Sequence, residues 1–368
     1  MEFKLNVNDK KQLDKLFETN EINYTISNMY NYFFYNLARS IKKSDIESIK
    51  RINNCSEKDA YFQLFLDRLD IDALDSNSYN ELKDFCYQGI NCLNDQQYQN
   101  NPYLQTIHFH NQKLNDIKLD NDCYLPYESF PLFDVKVDEE NYFKEEYSLG
   151  YFKTKFSFPA VSKNNVIWMS IIPNEIETMK KSINEVKGNV LVYGLGLGYY
   201  PFMIGLKDNV KKITIIEKDL KIIKLFKEYI LPQFPNKEKI NIVNHDAFEF
   251  EKKLNHGFDY AFVDLYHGDE DGVEIYLKFK ELEKSNCTYH YWLEDSLINV
   301  IRRNLITILY ENYTKTNCNY DIEESFNDRI INLLYLQIKN TTFTTYDQIK
   351  TLLSKNSIAQ LIKQIKII

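Results

Sequence analysis

Five of the chain's ten glycines fall between residues 188 and 205: Gly188, Gly194, Gly196, Gly198 and Gly205. The run Val190-Leu191-Val192-Tyr193-Gly194-Leu195-Gly196-Leu197-Gly198-Tyr199 leads an apolar strand into a Gly-x-Gly-x-Gly turn. Glycine is needed where the backbone takes a positive φ or must press against a ligand. A strand, such a turn and then a helix form a nucleotide-binding βα unit, in which the ligand meets main-chain N–H groups at the helix N-terminus. The dinucleotide spacing Gly-x-Gly-x-x-Gly is not met, because Tyr199 stands at the sixth position. Acids follow where later strands should end: Glu217, Asp246 and Asp264. Glu217 lies about 20 residues past the glycines, where a carboxylate would accept from two ribose hydroxyls.

The elements that would hold these residues alternate along the chain. Lys212–Glu217 reads as a second strand, followed by a helix with Leu220, Ile223, Phe226 and Ile230 on one face. Ile240–Asn244 and Phe258–Asp264 read as further strands, with His245-Asp246-Ala247-Phe248 leading into the helix between them. In an open parallel sheet, ligands bind at the carboxyl ends of the strands, and all three acids sit there. Pro173-Asn174-Glu175 opens a helix bearing Ile176, Met179, Ile183 and Val186. Its start should lie near the same pocket, so Asn174 and Glu175 are either cofactor contacts or a plain helix N-terminus.

From about 171 to 295 the chain resembles the class I S-adenosylmethionine (SAM)-dependent methyltransferase fold, and most closely its spermidine-synthase-like branch. The resemblance implies a SAM loop at Tyr193-Gly194-Leu195-Gly196-Leu197-Gly198, with Glu217 and Lys218 at the ribose. It places Asp246 and Ala247 at the adenine and Asp264 facing the transferable group. Aminopropyltransferases carry Asp-[Ser/Thr]-[Ser/Thr]-Asp at the fourth strand end. Here Asp264 matches the first acid, Leu265 and Tyr266 replace the hydroxyls, and His267 replaces the second acid. The [Asp/Asn]-Pro-Pro-[Tyr/Phe] signature of amino-group methyltransferases is absent as well. Asp264 and His267 are the candidates for orienting or deprotonating an acceptor.

Asp269, Glu270 and Asp271 favour a helix N-terminus. A calcium loop fails there, because His267 and Lys278 occupy the first and twelfth ligand positions. The six cysteines have no Cys-x-x-Cys spacing, which points to reduced thiols. His108 and His110 would share a face of a strand, yet a third ligand is not evident, so no metal is expected. The net charge of −8 argues against nucleic acid. The uncharged stretch Gly188–Leu206 reads as a buried βα unit and not as a membrane span, since it carries glycines and Pro201. The N-terminus lacks a signal-peptide pattern, so a cytoplasmic protein is expected.

The expected architecture is α/β: a Rossmann-like SAM-binding parallel sheet flanked by helices. A helical domain (1–98) and a small β-rich segment (99–170) precede it. The sheet domain spans 171–315 and a helical extension 316–368. Three capping boxes, Ser44-x-x-Glu47, Ser56-x-x-Asp59 and Ser78-x-x-Glu81, mark helix starts in the first part. That part is either a lid or partner-binding helical domain, or a bundle that simply covers the core. In the second part, Tyr151–Phe158 alternates as one strand, with Val166–Ser170 as its partner. The helical tail replaces the antiparallel strand pair with which the family usually closes its sheet. The leading functional expectation is methyl transfer from SAM to a small-molecule or protein acceptor, with a homodimer left open. Aminopropyl transfer from decarboxylated SAM and a non-catalytic scaffold are the alternatives.

Overall fold

A computed structural model describes residues 1–71, 76–109, 111–114, 116–164, 166–255, 257–316, 320 and 325–365. Its centre is a five-stranded sheet of β1 (Gly188–Tyr193), β2 (Val210–Glu217), β3 (Ile240–Asn244), β4 (Tyr260–Val263) and β5 (Thr288–Tyr291), in the order 3-2-1-4-5. Every pairing in it is parallel. Val190, Leu191, Val192 and Tyr193 on β1 are all buried, as a central parallel strand covered on both faces requires. The order reverses between β1 and β4, so the crevice of such a sheet opens at the ends of these two strands. After β5 the chain continues as the helix Glu294–Thr314, and the sheet has no antiparallel member among the described residues.

The expected flanking parts are present, with corrections in detail. The four-stranded antiparallel sheet ahead of the Rossmann-like unit pairs Gln112–Leu114, Ile117–Tyr124, Phe156–Lys163 and Val166–Ser170. Tyr151–Phe158 is not one strand. Leu149–Phe152 pairs with Ile90–Leu93 and Phe130–Pro131 in a separate sheet, and the strand ends at Phe152, with the next beginning at Phe156. All four residues of Leu149–Phe152 are buried, and the Phe152 and Phe156 rings stack across the gap between the two strands at 4.4 Å. His108 lies in a loop and not on a strand, with its N–H donating to Gln233; His110 lies outside the described residues.

The Ser56–Asp59 capping box forms. The Ser44 box does not, because the helix begins at Lys43 and Asp45 accepts from the Lys42 N–H. Ser78 is already inside the helix Ser76–Leu82.

Two cores divide the molecule. Leu5, Leu13, Leu16 and Phe17 from the N-terminal segment pack in the large core that contains the parallel sheet. Ile26, Tyr30, Phe33, Phe62 and Phe65 form a second core with Tyr127, Leu149 and Tyr151. The first helix, Val7–Tyr32, therefore serves both. Glu2–Phe3 also forms a short parallel pairing with Thr342–Phe343. Deeper in, Arg303 on the Glu294–Thr314 helix donates to the buried Glu145 and to the Tyr147 hydroxyl, and Asn23 bonds the backbone at Phe143 and Glu145. Removing one partner of such a buried pair leaves an uncompensated charge, which costs about 3–5 kcal/mol. Among the described residues no helix is long and apolar enough to cross a membrane. Cys55, Cys86, Cys92, Cys123 and Cys287 are free thiols.

Candidate active site

At the carboxyl ends of β1, β2 and β4 lies a cavity of about 440 Å³. This is within the usual range for a small-molecule site. The glycine turn forms one wall. Gly194, Gly196 and Gly198 all take positive φ, at 93°, 51° and 78°. Their reasons differ. A Cβ on Gly194 would lie 2.0 Å from the Asp264 carbonyl oxygen, and one on Gly198 would lie 2.3 Å from the Phe226 ring. Those two glycines let neighbouring elements close up. A Cβ on Gly196 would meet nothing nearer than the Met169 sulfur at 3.9 Å, so this glycine keeps the backbone open to the cavity. The turn is held from outside by the Tyr103 hydroxyl, which donates to the Leu197 carbonyl at 2.6 Å.

Glu217 closes β2 beside the turn. One carboxylate oxygen accepts from the Leu195 N–H at 3.2 Å and the other from the Asp219 N–H at 2.8 Å. Each oxygen retains a lone pair for a ligand hydroxyl. Lys218, Asp246 and Ala247 line the same side, and Asp246 also caps the helix Ala247–Lys253 through the Glu249 N–H. Trp168 and Met169 face the turn from the neighbouring sheet. The pairing of Val166–Ser170 shifts register between Ile167 and Met169, so Trp168 sits at a bulge. Bulges re-aim side chains in this way next to functional sites.

The opposite side of the cavity holds Glu175 and Asp264. Glu175 is in the first turn of the helix Pro173–Glu185, and the Asp264 N–H donates to the Tyr193 carbonyl at 2.9 Å. Both residues are half-buried and line the cavity. Desolvation raises Glu175 well above the ordinary carboxylate range, and the charge of Asp264 adds to it. Desolvation also lifts Asp264 to about 7, against a smaller opposing pull from His267. The negative charge of one acid disfavours that of the other, so a cation beside them is favoured. Tyr266, Ile275 and Trp292 supply apolar wall on this side. Trp292 is fixed by its indole N–H, which donates to Thr178 at 2.9 Å, and by the Tyr266 hydroxyl, which donates to its carbonyl.

The cavity thus gathers most of the residues that the sequence singles out: Gly194, Leu195, Gly196, Gly198, Glu175, Glu217, Lys218, Asp246, Ala247, Asp264 and His267. Two are turned away. The Tyr193 side chain is fully buried beneath the sheet, donating to Glu251, because strand alternation sends it opposite to Val192. Asn174 donates to the Leu132 carbonyl at 3.3 Å and leaves the cavity to its neighbour Glu175. His267 stands at the rim, with its side chain 72% exposed and Nδ1 3.0 Å from Asp271. As expected for that acid-rich turn, Asp271 accepts from the His267 and Gly268 N–H groups at the start of the helix Asp269–Leu282.

Sequence reasoning misses Trp168, Met169, Tyr266 and Trp292 as site residues. An aromatic in a short strand carries no local mark distinguishing a pocket wall from core. It also misses Asp134, whose carboxylate accepts from the Asp295 and Ser296 N–H groups and so caps the Glu294–Thr314 helix from a distant loop. Burial lifts Asp134 to about 6. No group of three or more metal-ligating side chains is gathered among the described residues.

The family model of the spermine/spermidine synthase domain matches residues 174–282. Among solved structures, the chain is similar to the spermidine synthase of Thermotoga maritima at 14% identity, over 40% of this chain and 58% of that one, with a TM-score of 0.29. It is also similar to a spermidine synthase in complex with the transition state analogue AdoDATO at 15% identity, over 40% and 60%, with a TM-score of 0.31. The chain spans about three-fifths of the length of these two structures. No curated protein matches it. Residues 174–282 resemble the spermidine-synthase-like branch of the class I SAM-dependent methyltransferase fold, as the glycine turn and strand-end acids imply.

Proposed function

We propose that the protein transfers an aminopropyl group from decarboxylated SAM to an amine. The observation that carries this reading is that Glu175 and Asp264, two half-buried carboxyl groups whose charges act on one another, line the cavity beside the glycine turn. Lys218, the lysine that lines the cavity, follows Glu217 on the ribose side. SAM brings an α-carboxylate, which a pair of acids repels. Its decarboxylated form ends in an ammonium, and the acceptor is itself an amine, so both suit this floor. The match to the spermine/spermidine synthase domain supports the same reading.

The residues present fit such a donor. Gly196 leaves backbone open to it, Glu217 offers acceptors to a ribose diol, and Asp246 and Ala247 line the adenine side. When bound, the sulfonium supplies a carbon already activated toward a nucleophile. The protein's part is alignment, exclusion of water and removal of one proton from the acceptor nitrogen. Asp264 is the base in this scheme, and Glu175 holds the positive charge beside it.

The test supplies SAM or decarboxylated SAM with a panel of mono- and diamines and identifies the nucleoside product by mass spectrometry. Formation of 5′-methylthioadenosine from the decarboxylated donor is expected. Formation of S-adenosylhomocysteine from SAM would replace this reading with methyl transfer. Failure of both donors to bind in calorimetry would leave the scaffold alternative.

A further inference from the structure

We propose that His267, oriented by Asp271, is the proton exit of this site. The inference rests on the transfer reading above and concerns a step that any such transfer must complete. An amine enters as an ammonium. It loses one proton, its nitrogen lone pair bonds the carbon next to sulfur, and the carbon–sulfur bond breaks with its electrons returning to sulfur. The product is a secondary ammonium and a neutral thioether, and one proton is left over per turnover. Asp264 is placed to receive it, but Asp264 is half-buried on the cavity wall, where an acceptor seated against it would separate it from water.

The geometry provides one route outward. His267 follows Asp264 by three residues, lines the same cavity and is 72% exposed. Its charge acts on the Asp264 carboxyl. Asp271 accepts from both the His267 N–H and Nδ1. That commits Nδ1 and leaves Nε2 as the nitrogen for exchange. The Gly268 N–H also donates to Asp271, so the acid is fixed before any ligand arrives. The remaining titratable side chains on the cavity are Glu175, beside Asp264, then Glu217, Lys218, His245 and Asp246 on the nucleoside side, and the buried Tyr199, Tyr200 and Tyr266. The ring nitrogen Nδ1 of His245 lies 2.9 Å from the Asp246 carbonyl, within its own loop. His267 combines a place three residues from Asp264 with exposure to bulk water, whereas Tyr266 between them is buried.

The experiment compares wild type with His267→Gln and Asp271→Asn, using decarboxylated SAM and the best amine of the panel. In His267→Gln, kcat is expected to fall about 10-fold or more, with the KM for the donor little changed. Added imidazole should restore rate in a concentration-dependent way in this variant and have little effect on wild type. Asp271→Asn should show a smaller loss with the same rescue. An undiminished kcat, or a loss that small buffers do not relieve, overturns the proposal, because a merely structural role gives no rescue. A second readout does not need turnover: the infrared carbonyl band of the Asp264 carboxylic acid in the free protein. In His267→Gln that acid should persist to higher pH than in wild type. An unchanged titration would mean that the two groups are uncoupled and would overturn the relay even if the transfer reading holds. If wild type turns over neither donor while the infrared coupling is found, the transfer reading falls and takes the relay with it.

Discussion

Asp264 joins two properties that are usually separate, since it is the candidate base and also a source of instability in the free protein. Replacement by Asn keeps its shape and removes its ability to take a proton. Donor binding should survive in calorimetry, while single-turnover transfer should drop by about 10²–10⁴-fold. The stability effect has a definite sign. The carboxyl titrates at about 7 in the folded protein against an ordinary value of 3.8, so the folded state holds a proton that the unfolded state has released. Stability must therefore decline as pH rises between roughly 4 and 7, and Glu175 acts in the same direction. Chemical denaturation across this range should show that slope in wild type and a flatter one in Asp264→Asn. The opposite ordering of slopes would mean that the acid is not desolvated. A cationic ligand reverses the penalty, so its binding near pH 7 should release protons, measurable as a buffer-dependent enthalpy.

Among the elements, the glycine turn separates fold from ligand. Gly194→Ala would drive a methyl group into the Asp264 carbonyl at the seam between β1 and β4, and should prevent stable folding. Gly196→Val meets only Met169, so its folding cost should be the strain of a branched residue at positive φ, about 1–3 kcal/mol. It fills the cavity face, however, and should abolish donor binding in calorimetry. A Gly196→Val protein that is folded and binds at wild-type affinity would contradict the placement of the ligand. This turn and its strand-end acids are legible in the sequence because their signals are local: a run of apolar residues, a glycine period, an acid where a strand stops. The orientation of Tyr193 could have been read from strand alternation, since its neighbour Val192 faces the cavity. The bulge at Trp168 and the capping of the Glu294–Thr314 helix by Asp134 could not. Both depend on partners far away in the chain, and neither leaves a pattern in its own segment.

The whole molecule is less divisible than its composition implies. Leu13, Leu16 and Phe17 pack in the large core, and Asn23 and Arg303 meet around the buried Glu145. A chain beginning at Asn100 would strip that network and open the core. It should be recovered as an aggregated or molten species lacking cooperative thermal unfolding, and a cooperative, donor-binding fragment would show that the helices are a dispensable cover. The pairing of Glu2–Phe3 with Thr342–Phe343 sets a condition in time as well. A ribosome adding about 5–20 residues per second needs on the order of 20–70 s to make the second strand after the first. For most of that interval the end of the opening helix that carries Phe17 lacks its late-made neighbours Tyr310 and Tyr313, while Tyr30 at the other end already meets Phe65. The nascent chain must be shielded by a holding factor or remain sparse enough not to meet another copy, so the rate of translation and the supply of chaperones will govern how much folded protein a cell obtains.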